Sequence, residues 1–406
     1  MSERPLSIAA SASRGRHVVT IGLLVTGVLV FLTNAIVAHF LTRSEFGAAG
    51  SLLALSTLLA IPLSSIQTAV TRQVAVSEPG VFRLSSFVGW AIGGAALIVA
   101  VSVGIAPLVD PLLHLSGRLP VLLVGGYLAC ILAEALPRGV LLGERRYMTI
   151  AVIVVGGAVV RLVVSAVWSA VDPSVVAPLI GPALGEGVTA AGLLVGLRLL
   201  ATPGRRSEHL HIVDIGLSIA GFTGLLSLMS IDTVAARHFL TGTQSGYYAV
   251  ASGLGSIAYF MSAAAASAVF PDVALGVSNN QRRSFLIGLG EVSALALAAA
   301  GILLIGATPL IRILYGERYL GATNPLRVLA ISYALLGILF YLLSHHLAHR
   351  SRMITLTWLG AALLTGSVML VHGTPLEVAL DALLSSGSLL VILGGVSIHL
   401  ERRRYS

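Results

Sequence analysis

Lysine is missing from this 406-residue sequence, cysteine occurs once, and charged residues make up only 10% of the chain. Each shortage removes a class of chemistry. Without lysine there is no Walker A phosphate loop, whose last basic residue must reach the phosphates, and no lysine Schiff base. The one cysteine, Cys130, cannot close an intramolecular disulfide, and its place inside an apolar run suits a small buried hydrophobe. So little charge cannot wet the surface of a soluble domain, which carries about 25% charged residues. With 56% hydrophobic residues and a mean hydropathy of +0.95, most of the surface is expected to face lipid. The net charge of +8 comes wholly from arginine, a usage that suits a GC-rich bacterial genome. These arginines flank apolar runs instead of forming a stripe, which argues against nucleic acid and marks membrane topology.

What the chain does contain is a series of apolar runs of about twenty residues. In hydrocarbon each unpaired backbone group costs several kcal/mol, so spans must be helices or closed barrel strands. The runs lack the alternation of barrel strands, which predicts helices. Twelve are expected, at 18–40, 48–70, 85–107, 120–142, 148–171, 174–200, 212–236, 247–270, 284–308, 326–348, 354–371 and 376–399. The first follows a polar stretch, Met1 to His17, and is too long for a signal-peptide core. It reads as an uncleaved first helix. Links are short, the longest polar interval being Thr202 to His211, which leaves no room for an extracytoplasmic catalytic domain. With a cytoplasmic N-terminus, seventeen arginines fall on inner segments and five on outer ones: Arg43, Arg118, Arg237, Arg312 and Arg318. That bias places both termini in the cytoplasm of a multi-pass protein of the bacterial plasma membrane.

The sequence also repeats itself. His39-Phe-Leu-Thr-Arg-Ser-Glu-Phe-Gly47 matches His238-Phe-Leu-Thr-Gly-Thr-Gln-Ser-Gly246 at an offset of 199, and an ungapped extension to Ala75 and Ala274 keeps ten identities in 37 positions. Six spans separate the copies, so both have the same orientation, as in parallel repeats related by an axis along the membrane normal. The expected fold is all-α and integral to the membrane, with twelve helices in two six-helix bundles, residues 1–201 and 202–406. Two bundles with a cleft between them suit a transporter that opens alternately to each side.

Several segments carry a resemblance. The opening pair of spans turns at Glu45-Phe46-Gly47 and ends near Arg72. The fourth-to-fifth junction reads Pro137-Arg138-Gly139-Val140-Leu141-Leu142-Gly143-Glu144-Arg145-Arg146-Tyr147. The seventh span carries Ser230-Ile231-Asp232-Thr233 and Ala236-Arg237-His238-Phe239-Leu240, followed by Gly246-Tyr247-Tyr248-Ala249 and Val269-Phe270-Pro271. In this order they resemble the polysaccharide-export branch, the O-antigen flippase-like members, of the multidrug/oligosaccharidyl-lipid/polysaccharide exporter superfamily. Lipid II flippases usually carry fourteen spans, against twelve here. Multidrug extruders place an acid and a bending proline in the first span, where this chain has Asn34 and neither feature. The resemblance thus implies a flippase for a polyprenyl-linked glycan, with the glycan-assembly proteins of its locus as partners.

Buried charges are the candidate site residues, because each costs about 2.5–3.5 kcal/mol at the bilayer centre unless paired or hydrated. Arg161 lies about twelve residues into the fifth span, roughly 18 Å along the helix, and Glu186 is central in the sixth between two glycines. Arginine's planar fork suits a pyrophosphate headgroup; the structural alternative is an ion pair of Arg161 with Glu186 or another acid. Glu134 and Arg138 stand one turn apart beside Pro137 and can share a face, for a headgroup or for each other. Asp232 occupies the place in the seventh span that Thr33-Asn34 occupy in the first. It could bind H⁺ or Na⁺, hydrogen-bond a glycan, or pair with Arg237. Arg72 could receive a lipid phosphate or simply fix topology. His345, His346 and His349 abut Arg350 and read as interfacial residues, with no metal expected; Glu377 and Asp381 read as inexpensive carboxylates at a span end. No cofactor is expected. Of the alternatives, an ion-coupled multidrug or metabolite antiporter on the same fold would use Asp232, whereas a membrane glycosyltransferase wants paired carboxylates near water that these short loops do not offer.

Overall fold

The computed structural model describes residues 4–76, 84–200, 212–274, 281–348 and 351–404. The interval Thr202 to His211 lies outside the described residues, as do the structure of His349 and the side chain of Arg72. Twelve α-helices follow one another: α1 (Arg4–Phe40), α2 (Arg43–Val76), α3 (Leu84–Leu112), α4 (Leu119–Gly143), α5 (Tyr147–Val171), α6 (Ala177–Leu200), α7 (Ile212–Phe239), α8 (Gly242–Ala274), α9 (Gln281–Leu314), α10 (Thr323–Ala348), α11 (Thr357–Leu370) and α12 (Pro375–Arg404). Short 3₁₀ helices precede α10 (Glu317–Ala322) and α11 (Arg352–Leu356), and the described residues contain no strand. Each expected span has its helix, and eleven segments are long and apolar enough to cross a membrane, α1 contributing a shorter apolar stretch, Leu24–Phe40. The protein is therefore a multi-pass membrane protein.

The repeated His-Phe-Leu-Thr block has a physical cause. Thr42 and Glu45 form a capping box: the Thr42 amide donates to Glu45 Oε2 at 2.9 Å and the Glu45 amide to Thr42 Oγ1 at 3.2 Å. Thr241 and Gln244 repeat it at 3.2 and 3.4 Å. Such boxes satisfy two otherwise orphaned amides at a helix start. Thr374 and Glu377 make a third ahead of Pro375, so Glu377 is an N-terminal cap.

The chain divides into two compact units. One comprises Met1–Leu41 with Leu59–Ile215, the other Thr42–Leu58 with Gly216–Ser406. The first part of α2 thus counts with the C-terminal helices. There it meets α8 through small residues. A Cβ on Gly50 would lie 2.7 Å from that of Ala249, one on Gly47 would strike Ser245 and the Gly246 amide, and one on Gly246 would strike the Arg43 carbonyl. Positions 47 and 246, and 50 and 249, are repeat counterparts. Each meets its own equivalent.

In the first unit, α5 and α6 pack along a stripe of small residues. Gly181 faces Ser165 and the Arg161 carbonyl, Gly185 faces Arg161 and Gly157, and Gly192 faces Ile153. Lipid gives helices little hydrophobic reason to associate, so close approach through such residues supplies the van der Waals contact instead. The second part of α2 packs on α4 in the same way, Gly139 and Gly143 receiving Val70 and Val74.

Candidate functional site

Two buried polar centres stand out, one in each unit. In the first unit α4, α5 and α6 converge. Arg161 is fourteen residues past Tyr147 in the 25-residue α5, about 21 Å along its axis. Gly185 brings the α6 backbone against it, a Cβ there lying 2.9 Å from that of Arg161, while Gly187 turns toward Cys130 of α4. Glu186 therefore sits where α6 passes between α4 and α5, and its carboxylate acts electrostatically on Arg138 and Arg161. Arg138 Nη1 donates to Glu134 Oε1 at 2.9 Å, and Arg161 stands close enough to the Tyr127 hydroxyl to act on it electrostatically. Arg161 has no direct ion pair with Glu186 among the described residues.

This centre is incomplete. Glu134 is only 4% exposed, yet its Oε2 has no hydrogen-bond partner, and neither has the buried Nε of Arg161. A buried polar atom without a protein partner costs about 1–3 kcal/mol, so an orphaned donor and an orphaned acceptor in one cluster are groups that water or a polar ligand can meet.

The second centre is complete. Asp232 on α7 is fully buried. Tyr248 donates to its Oδ2 at 2.8 Å, and the Thr233 amide and hydroxyl donate to Oδ1 at 2.6 and 3.3 Å. Thr233 continues to Ser252 at 3.0 Å, and Ser252 to Tyr333 at 2.7 Å. Asp232 takes no bond from Arg237, which instead donates to the Ser44 carbonyl and hydroxyl and to Ser245 at 3.1–3.2 Å. The repeat-related Thr33 turns its hydroxyl back to Leu29 O at 2.8 Å, and Asn34 is half-buried beside it. The two halves have thus diverged at this position.

Two sequence expectations are corrected. Asp381 is buried, with Oδ2 unpartnered, because α12 packs it toward Ser367 of α11. His345 and His346 are buried too: His346 Nε2 lies 2.8 Å from Ser397 Oγ on α12, and the His345 ring lies 4.5 Å from that of Phe285. Packing of α10 against α9 and α12 draws both inward. Among the described residues no three His, Cys, Asp or Glu side chains could hold a metal ion together. Sequence reasoning missed Tyr127, Tyr248, Ser252 and Tyr333, which stand in apolar runs; their signal was a hydroxyl at helical spacing from, or on a helix facing, a buried charge.

No protein-family model matches the chain, and no curated protein does. Solved structures do. The inward-closed lipid II flippase MurJ aligns with a TM-score of 0.68 at 13% identity over 92% of this chain and 86% of that one. An inward-facing multidrug resistance MATE family transporter of the MOP superfamily aligns at 0.70 and 14%, over 95% and 99%. This chain has the MOP fold. A single-residue mutant of the Vibrio cholerae MATE transporter VcmN aligns less closely, at 0.59 and 14% over 96% and 97%. At such low identity the likeness extends to the MOP fold alone, so the chemistry rests on the two centres.

Proposed function

We propose that this chain is a flippase that carries a polyprenyl-(pyro)phosphate-linked oligosaccharide or related glycolipid across the bacterial plasma membrane by alternating access. Its termini lie in the cytoplasm, and its product feeds cell-surface polysaccharide assembly. The observation that carries the reading is the incomplete centre of the first unit, with a mid-helix arginine whose Nε is buried and unpartnered. Arg161 takes the headgroup phosphate, because its planar fork bonds two oxygens and stays charged. Arg138 contributes a second positive charge on the preceding helix, α4, tethered by Glu134. Glu134 Oε2 and Glu186 accept from sugar hydroxyls, and half-buried Asn34 adds a neutral donor and acceptor. Arg72 receives the lipid phosphate at the cytoplasmic face. Asp232 is the coupling carboxylate for H⁺ or Na⁺. Transport is driven by such a gradient, by the membrane potential or by downstream consumption, with the neighbouring glycan-assembly proteins as partners; the chain performs no covalent chemistry.

The test is leaflet exposure of a fluorescent polyprenyl-pyrophosphate glycan in proteoliposomes. Protein-dependent exposure supports the flippase. Well-folded protein without exposure, alongside ion-coupled efflux of small organic cations, supports the second reading, an antiporter. That reading draws on the hydroxyl-lined carboxylate of Asp232, which suits a cation as well as it suits coupling.

A further inference from the structure

Helix α2 is one continuous helix, Arg43–Val76, yet its two parts belong to different compact units, the change falling between Leu58 and Leu59. Pro62 stands four residues after Leu58 inside that helix. A proline has no amide hydrogen, and its ring crowds the carbonyl four residues back. The backbone bond lost to Pro62 is therefore the one that Leu58 O would have accepted, at the very place where the units divide.

Two further features act at the same point. Ser56 and Thr57 both turn their hydroxyls back onto the Leu53 carbonyl, at 2.8 and 2.9 Å, a pattern that bends helices. The segments on either side are anchored separately. The first is held to α8 by the Gly47 and Gly50 contacts, and by Arg43 Nη1, which donates to the Tyr247 hydroxyl at 2.7 Å. The second is held to α4 by Val70 and Val74 against Gly139 and Gly143.

The repeat supplies a control within the molecule. Helix α8, Gly242–Ala274, is the counterpart of α2, and Met261 stands where the offset of 199 places Pro62. It has no proline from Gly242 to Phe270 and lies wholly within the second unit. Other helices contain proline, among them α4 at Pro137 and α9 at Pro309, but each stays within one unit. Among the described helices, only α2 joins a lost backbone bond to a change of packing partner.

We infer that Leu58–Pro62 is a hinge at which the two segments of α2 change direction independently, each staying packed on its own anchor, while the repeat-related α8 moves as one rod. The inference does not depend on what the protein transports.

Pulsed electron resonance on the full-length protein in lipid nanodiscs tests it, with nitroxide pairs in a Cys130→Ala background. One pair spans the hinge, at Ala54 and Thr71; the other occupies the repeat-equivalent positions of α8, Gly253 and Phe270. Seventeen residues of straight helix separate each pair, about 26 Å along the axis. The expected result is a distribution at least about twice as wide for α2 as for α8, because a bend that varies by more than about 20° spreads the label-to-label separations. Pro62→Ala, which restores the amide, should narrow the α2 distribution to that of α8. Equal widths for the two wild-type pairs would overturn the inference, and this comparison stands even if Pro62→Ala fails to fold. A folded Pro62→Ala protein whose α2 distribution superimposes on wild type would overturn it as well.

Discussion

The two polar centres differ in one respect that decides how each is read. Around Asp232 every carboxylate oxygen has a donor, and the hydroxyl chain ends on Tyr333. Around Arg161 a donor and an acceptor, Arg161 Nε and Glu134 Oε2, are both buried and both unmet. A complete buried network rigidifies what it joins. An incomplete one leaves groups that water or a ligand can meet. On the proposed function, the anionic substrate belongs to the first unit and a coupling or scaffolding part to the second.

The comparison breaks most readily at Arg161. Arg161→Ala should cost about 2–5 kcal/mol of headgroup affinity, the range for truncating a buried charged hydrogen-bond partner, with the fold intact by thermal melting in detergent. Arg161→Lys should recover only part of the loss, because an ammonium keeps the charge without the fork. Next in size is Gly185→Val. A Cβ there already overlaps Gly157 O at 2.7 Å, so the larger side chain should destabilise the protein by about 1–3 kcal/mol and displace Arg161, lowering both melting temperature and substrate binding.

In the second unit the effects should be smaller and of another kind. Asp232→Asn leaves Tyr248 or Thr233 mismatched, which should lower stability by about 1–3 kcal/mol and abolish any ion dependence of transport while leaving headgroup binding near wild type. Tyr333→Phe removes only the end of the chain, and about 0.5–1.5 kcal/mol of stability should go with it, with transport almost unchanged. A large transport defect in Tyr333→Phe would mean that the network carries substrate after all.

Much of this was legible in the sequence for physical reasons. Lipid forces apolar runs into helices, so all twelve elements follow from composition and spacing. The repeat was visible because a capping box at Thr42 and Thr241, followed by glycines at 47 and 246 where the helices touch, tolerates little else. Arg161, Glu186 and Asp232 could be singled out because a charge at mid-span is expensive. Which charges meet could not. The bond from Arg138 to Glu134 is local, one turn away, and was foreseeable, whereas Tyr127 facing Arg161 and Tyr248 facing Asp232 depend on the rotation of neighbouring helices. The burial of His345 and His346 was hidden likewise, since polar residues beside Arg350 look interfacial until α10 is seen enclosed by α9 and α12. Nor does sequence say that α2 would divide its packing at Leu58, although Pro62 marks the place.

The most direct measurement is native mass spectrometry of the detergent-solubilised protein with undecaprenyl pyrophosphate, comparing wild type, Arg161→Ala and Asp232→Asn at one lipid concentration. The account predicts a lipid adduct on wild type and on Asp232→Asn that is lost from Arg161→Ala. An adduct kept by Arg161→Ala and lost from Asp232→Asn would contradict it and move the substrate to the second unit.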